Sequence, residues 1–385
     1  MRVLYLSGVV PFEFNAGFTL LYRHLARMRN HEVLILTRDF IMAKGAELPH
    51  RAIRFPERSR TYSRIVNRLG RPFFWLEREA ARIRRLASPY AKEFRPDVVL
   101  TAWDTPYLLA ASDLARQMGA PLVLVCHDDY EHKLPPHPKR RRWALERLLP
   151  IYQGAKARIC VGPGMVEQLE RLYGEARTEV VYPIPNEAPP CDASLRRRSP
   201  GEPVRIGFFG EMGGNYRVLQ AVAEVLGVAS AELHLFSHST GIERERIASH
   251  PGVYDQGSTN PRGLRDYFRT RIDLTLIPQD FESETFELRR SCFPSKLPEA
   301  CQIGLPLLVV GPRGGSSIRW AAENLDEPAF LDSMDPGRLA ASIRSLADPV
   351  TWESHRQRVA VLAATMFSPR DLHEKFDEVL RGAVR

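Results

Sequence analysis

The sequence predicts an α/β protein of two doubly wound domains, and three observations carry that prediction. Apolar runs of about five to seven residues alternate with longer stretches of helical period, the order expected of parallel strands joined by crossover helices. The rhythm breaks between Tyr182 and Pro203, where Pro183, Pro185, Pro189, Pro190, Pro200 and Pro203 crowd around Arg196, Arg197 and Arg198, and it restarts afterwards. A length of 385 residues accommodates two such units, expected at 1–190 and 203–369, with a C-terminal helix at about 370–385 packing back on the first.

Taken in order, Val3 to Leu6 is a β-branched and aromatic strand, followed by Asn15-Ala16-Gly17 and an amphipathic helix from Phe18 to Arg27. Glu32 to Leu36 is the next strand. Asp97 to Leu100, a helix from Tyr107 to Gln117, the turn Gly119-Ala120-Pro121 and the strand Leu122 to Cys126 form a further unit, ending in His127-Asp128-Asp129. Ala157 to Val161 and a helix near Met165 to Leu172 complete the first half. The second half runs through Val204 to Phe209, a helix from Arg217 to Leu226, Glu232 to Phe236, Val253-Tyr254, and Asp273 to Ile277. A helix beginning near Ser295 and the strand Leu307 to Val310 follow.

Composition narrows the class. With 44% hydrophobic and 26% charged residues the chain can bury a core, which excludes a disordered polypeptide. The formal charge of +8 suits an anionic partner: a nucleotide, an acidic glycan or a membrane surface. Five cysteines, widely spaced and without a CxxC pair, indicate neither a disulfide framework nor a zinc site, and fit a reducing cytoplasm. The opening MRVLYLSGVVPFEFNAG is interrupted by Pro11 and Glu13 and does not read as a signal peptide, and no apolar run reaches the ~20 residues of a membrane span. The expectation is a soluble cytoplasmic protein that at most rests on the inner membrane face. For that contact, Arg71-Pro72-Phe73-Phe74-Trp75-Leu76 with Arg82, Arg84 and Arg85 is the candidate, against a plain amphipathic helix covering the first sheet. Basic runs at Lys139 to Arg142 and Arg196 to Arg198 read as solvated faces. Aromatics interleaved with basic residues are lacking, so no nucleic-acid partner is expected. A GxGxxG turn is also lacking at Ser7-Gly8-Val9-Val10-Pro11, which argues against a dinucleotide oxidoreductase.

In an open α/β sheet, ligands bind outside the carboxyl ends of the strands, where helix amino termini present free N–H groups. Two such sheets facing each other would create a cleft. The sharpest local signal is Phe293-Pro294-Ser295-Lys296-Leu297-Pro298-Glu299-Ala300, followed by Gly304-Leu305-Pro306 and an apolar strand. It reads as a loop entering a helix, with Ser295 as the cap, Lys296 as an added positive charge, and a diphosphate as the anion that fits. Glu299, one turn inside, could accept hydrogen bonds from ribose hydroxyls, or could be a solvated residue favoured by the helix dipole. Gly311-Pro312-Arg313-Gly314-Gly315-Ser316 reads as a surface turn rather than an anion loop.

At this point the chain resembles the GT-B glycosyltransferases, and among them the large retaining, family 4-like group that uses nucleotide-sugar donors. The resemblance rests on MRVLYLS with its glycine loop, His31-Glu32-Val33, Arg95-Pro96-Asp97-Val98-Val99, Gly119-Ala120-Pro121-Leu122-Val123 leading to His127-Asp128, Val161-Gly162-Pro163-Gly164-Met165, Ile206-Gly207-Phe208-Phe209-Gly210, and above all FPSKLPEA…GLPLLV. It implies two Rossmann-like domains facing a cleft. Gly17 would lie near donor diphosphate and acceptor, His127 near the transferred sugar, Glu299 on the ribose, and Ser295, Lys296 and Leu297 on the diphosphate turn. Two positions depart from the family pattern. Ser291 stands where the first glutamate of E-x7-E belongs, and Glu211 follows Gly210 where an arginine is common, leaving Arg217 as the candidate cation of that loop. Glu211 is read as a sugar contact. The resemblance implies transfer of a sugar from a UDP-, GDP- or dTDP-sugar to a glycan or lipid-linked hydroxyl, with retention, no metal and no cofactor beyond the donor. A catalytically silent binding subunit and a nucleotide-sugar epimerase are the alternatives.

Overall fold

The structure, a computed structural model, describes residues 1–13, 16–40, 48–56, 72–128, 138–186, 195–196, 198–199, 201–282, 284 and 286–385. Asn15, Arg71, Asp129, Pro189, Pro190, Cys191, Arg197 and Pro200, named above, lie outside them, as do the side chains of 16, 72–75, 139 and 140. The chain divides into two compact units, Met1–Tyr182 with Leu372–Arg385, and Pro183–Asp371.

The first unit is built on β1 (Arg2–Ser7), α1 (Ala16–Arg27), β2 (Glu32–Arg38), β3 (Arg51–Phe55), α2 (Pro72–Phe94), β4 (Val98–Ala102), α3 (Tyr107–Met118), β5 (Leu122–Cys126), α4 (Pro138–Gly154), β6 (Ala157–Cys160), α5 (Pro163–Tyr173) and β7 (Thr178–Val180). The described strands pair in parallel in the order β3-β2-β1-β4-β5-β6-β7. Strands β4 and β5 are buried at every position, the continuous apolar signature of strands covered on both faces. Trp103, Tyr152 and Tyr173 form a buried aromatic cluster of tilted and edge-to-face rings, with Tyr152 and Tyr173 centroids 5.2 Å apart. Arg158 is buried against it, 4.7 Å from the Tyr152 ring centroid.

The second unit contains β8 (Val204–Phe209), α6 (Tyr216–Ala229), β9 (Ala231–Phe236), α7 (Ile242–Ala248), β10 (Val253–Asp255), α8 (Pro261–Arg271), β11 (Leu274–Pro278), α9 (Phe286–Ser291), α10 (Lys296–Ile303), β12 (Leu307–Val310), α11 (Ser316–Asn324), β13 (Phe330–Leu331), α12 (Pro336–Leu346) and α13 (Pro349–Thr365). Its parallel sheet runs β10-β9-β8-β11-β12-β13, the doubly wound order whose reversal between β8 and β11 opens a crevice at their carboxyl ends. Gly207 in β8 admits Phe268, since a Cβ there would stand 2.5 Å from its ring. Phe236, Phe268, Ile272, Ile303 and Leu305 form the adjoining core.

The last helix, α14 (Pro369–Val384), buries Leu372, Phe376, Val379, Leu380 and Ala383 along one stripe. From residue 372 it belongs to the first unit, where Phe376 stacks on His24 at 4.1 Å and Asp377 meets His31 Nε2 at 2.5 Å.

One reading of charge needs correction. Arg196 is not on a solvated face: its guanidinium donates to both oxygens of buried Asp273, and Asp273 also accepts the Arg205 N–H at 2.9 Å. Arg198 donates to the Glu202 and Ala347 carbonyls. The physical reason is the buried Asp273 carboxylate just before β11, which needs a cation beside it. On α2, Arg82 pairs with Glu79 at 2.6 Å and Arg84 with Asp113 at 3.4 Å.

Candidate functional site

In the second unit, β8 delivers its carboxyl end to Gly210, whose φ of +109° is open to glycine at little cost. The Lys296 stem crosses this glycine so closely that any Cβ would collide with its Cε. Lys296 Nζ donates to the Glu211 carbonyl at 3.2 Å and sits 4.5 Å from the Phe208 ring centroid. Burial pushes the Lys296 ammonium down to about 8; Glu211 opposes that shift and Arg289 adds to it. The positive charge is therefore held where it is poorly solvated and has one neutral acceptor.

Behind it stands the amino terminus of α10. Ser295 does not cap it with its side chain, a correction to the sequence expectation: the residue is itself helical (φ −62°, ψ −20°), which turns the hydroxyl away from the N–H groups a cap would bond. The Leu297 N–H is taken by the Pro294 carbonyl at 3.0 Å, and Pro298 has no N–H. The Ser295 and Lys296 N–H groups have no acceptor among the described residues, so these two carry the positive end of the helix dipole. The Leu297 side chain is fully buried and anchors the turn from below.

Glu299 lies one turn further on. Its two oxygens each accept from the Asn186 N–H at 3.3 Å. Ser291 is buried, and its hydroxyl donates to the Glu287 and Leu288 carbonyls of its own helix. Arg217, at the start of α6, pairs with Glu282 at 3.2 Å, both side chains about half exposed. Glu211 exposes its side chain and uses its carbonyl, which accepts from Lys296 and from Asn215 Nδ2. Sequence reasoning passed over Arg289: its guanidinium lies against Gly214, donating to that carbonyl at 3.5 Å. Arg289 stands two residues before Ser291, but nothing local in the sequence marks a contact with a loop 75 residues earlier.

The first unit brings Gly17 and His127 together across 110 positions (127 − 17). Gly17 is the second residue of α1, and His127 directly follows β5. A Cβ at Gly17 would stand 2.5 Å from His127 Nε2 and 2.6 Å from its Cδ2, so the imidazole rests directly on the glycine backbone. Both lie at carboxyl ends of the parallel sheet, where α/β folds place ligands.

Residues 18–186 match the family model Glycosyltransferase Family 4. The chain is similar in structure to HepE of Anabaena, solved with UDP and glucose (14% identity, 99% of each chain, TM-score 0.65). Comparable likeness extends to the lipopolysaccharide outer core galactosyltransferase WaaB (13% identity, 99% of each chain, TM-score 0.65) and to MurG of Acinetobacter baumannii (12% identity, 99% of each chain, TM-score 0.53). No curated protein sequence matches it. The fold is that of the GT-B glycosyltransferases.

Proposed function

We propose that the protein transfers a glycosyl group from a nucleoside-diphosphate sugar to a hydroxyl of a glycan or lipid-linked acceptor, with retention and without a metal, in cytoplasmic synthesis of a surface glycan or glycolipid. The observation that carries this reading is the pair of N–H groups at Ser295 and Lys296, without an acceptor among the described residues, beside the poorly solvated Lys296 ammonium. Charge develops on the leaving diphosphate as the sugar–phosphate bond breaks. Groups fixed before that moment stabilise it without reorganising. Lys296 and the α10 amino terminus would take this role, and the Glu299 carboxylate would accept from the ribose hydroxyls. Residues 203–369 would be the donor domain, and residues 1–190 with the C-terminal helix the acceptor domain. There, the His127 imidazole, set by Gly17, would face the transferred sugar. UDP in HepE makes UDP the first nucleotide to try.

A thermal-shift panel of UDP, GDP and dTDP tests donor binding, because a ligand of the folded state raises its stability by mass action. Glu299→Gln and Lys296→Ala should each lose most of the shift, and wild-type donor affinity in both would reject the site. Retention is read from the anomeric configuration of the product. A second reading, a donor-binding but silent subunit, is favoured by Ser291, whose hydroxyl is committed to its own helix where the family places a glutamate. Transfer to any acceptor sugar, or hydrolysis of the donor, removes that reading.

A further inference from the structure

The loop between β8 and α6, Gly210 to Asn215, contains no lysine or arginine. A pyrophosphate carries more charge than one ammonium balances, so a second cation must come from elsewhere. Arg217 is not well placed to be it, since its guanidinium is engaged by Glu282 at 3.2 Å.

Arg289, on α9, reaches the loop from the other side. Its Nη2 stands at the 3.5 Å limit of a hydrogen bond to the Gly214 carbonyl, and any Cβ at 214 would collide with that nitrogen. The nearest carboxylate, Asp280, is 4.0 Å away: close enough to hold the charge in place, too far to hydrogen-bond it. Arg289 Nε is buried and has no hydrogen-bond partner among the described residues. The side chain remains 23% exposed, so its outer nitrogens reach solvent. A guanidinium has five N–H donors in a planar fork, and here almost none is committed to a strong acceptor. Lys296, near enough for the two positive charges to repel, has among the described residues only the Glu211 carbonyl. Two cations held beside one glycine loop, whose hydrogen-bond acceptors among the described residues are backbone carbonyls, gain most from an anion with several oxygens, because charge-assisted hydrogen bonds are about twice as strong as neutral ones.

We propose that Arg289 is the second cation of the pyrophosphate site, clamping the nucleoside diphosphate against Gly213-Gly214 together with Lys296 and supplying from α9 the charge that the β8–α6 loop lacks. Asp280 is then the positioning residue that keeps the fork against the loop between turnovers. The inference rests on the donor reading above and assigns a residue that reading does not contain.

Calorimetric titration of the full chain with UDP, GDP and dTDP, at low and raised salt, tests it. Arg289→Gln should weaken whichever diphosphate the wild type binds by roughly ten- to a hundred-fold and flatten the salt dependence. Arg289→Lys should recover part of the loss, keeping the charge but not the fork. Both variants should melt with the wild type when ligand-free. Equal binding by wild type and Arg289→Gln overturns the assignment of Arg289 alone. A loss shared by both variants and accompanied by a lower ligand-free melting temperature also overturns it, because that pattern marks a structural arginine. A wild type that binds none of the three diphosphates removes the donor site itself, and Arg289 with it.

Discussion

Replacing Gly17 by alanine is the sharpest available test of the first unit's role, because structure fixes both the size and the direction of the effect. The added Cβ would stand 2.5 Å from His127 Nε2, whereas ordinary non-bonded separations are about 3.5–4.0 Å, so the imidazole must retreat by about 1 Å. Misplacing a catalytic group by about 1 Å can cost about 100-fold in rate, or about 2.7 kcal/mol of barrier. Gly17 lies in the first turn of α1 without a positive φ, so alanine is tolerated by the backbone and its helix propensity offsets some of the crowding. The expected result is a kcat about 100-fold lower at saturating donor, with UDP affinity and melting temperature close to wild type. In a His127→Ala background, Gly17→Ala should cost almost nothing further, since the ring it displaces is gone. The reasoning fails if Gly17→Ala turns over like wild type, or if it costs as much with His127 absent as with it present.

Three further outcomes follow from charge. Lys296, pushed down to about 8, should lose its proton as pH rises through that value in the ligand-free protein, so UDP affinity measured by titration calorimetry should fall between about pH 7 and 9 and stay flat in Lys296→Arg. Arg196→Met leaves the Asp273 carboxylate buried without its cation, and denaturant unfolding should show a loss of about 3–5 kcal/mol. His24 and His373, with Nδ1 atoms 3.4 Å apart, are both held below the ordinary histidine range, by burial first, then for His24 by His373 and Arg27; Asp377 opposes the shift at His373. The unfolded chain therefore takes up protons that the folded one refuses, and stability should decline as pH falls below about 6.5. His24→Gln should flatten that decline in melting temperature between pH 7 and 5.

The sheets were legible because parallel strands covered on both faces read as apolar runs, unbroken in Leu122 to Cys126 and Leu307 to Val310 and interrupted at Arg205 in Val204 to Phe209, and all three begin and end where that pattern places them. The elements passed over lack it. Strand β3 reads RAIRF, exposed or half-buried except at Phe55, and β7 reads TEV, half-buried throughout; both sit at edges of the sheet. Helices α8, α12 and α13 did carry a usable signal: Asn260-Pro261, Asp335-Pro336 and Asp348-Pro349 each place an acceptor at the cap and proline at the first helical position. The candidate site divides along the same line. Ser295, Lys296 and Glu299 were visible because one turn of one helix holds them all, and a turn is a local object. The approach of His127 to Gly17 and of Arg289 to Gly214 is set by where strands and helices come to rest, and neither glycine differs locally from an ordinary turn glycine. What marks both is a steric fact of the folded chain: each has a polar side chain standing where its own Cβ would be. A glycine whose absent side chain is replaced by a distant imidazole or guanidinium is a position where substitution acts on that group before it acts on the backbone, so activity or binding should fall at Gly17 and Gly214 while stability is largely kept.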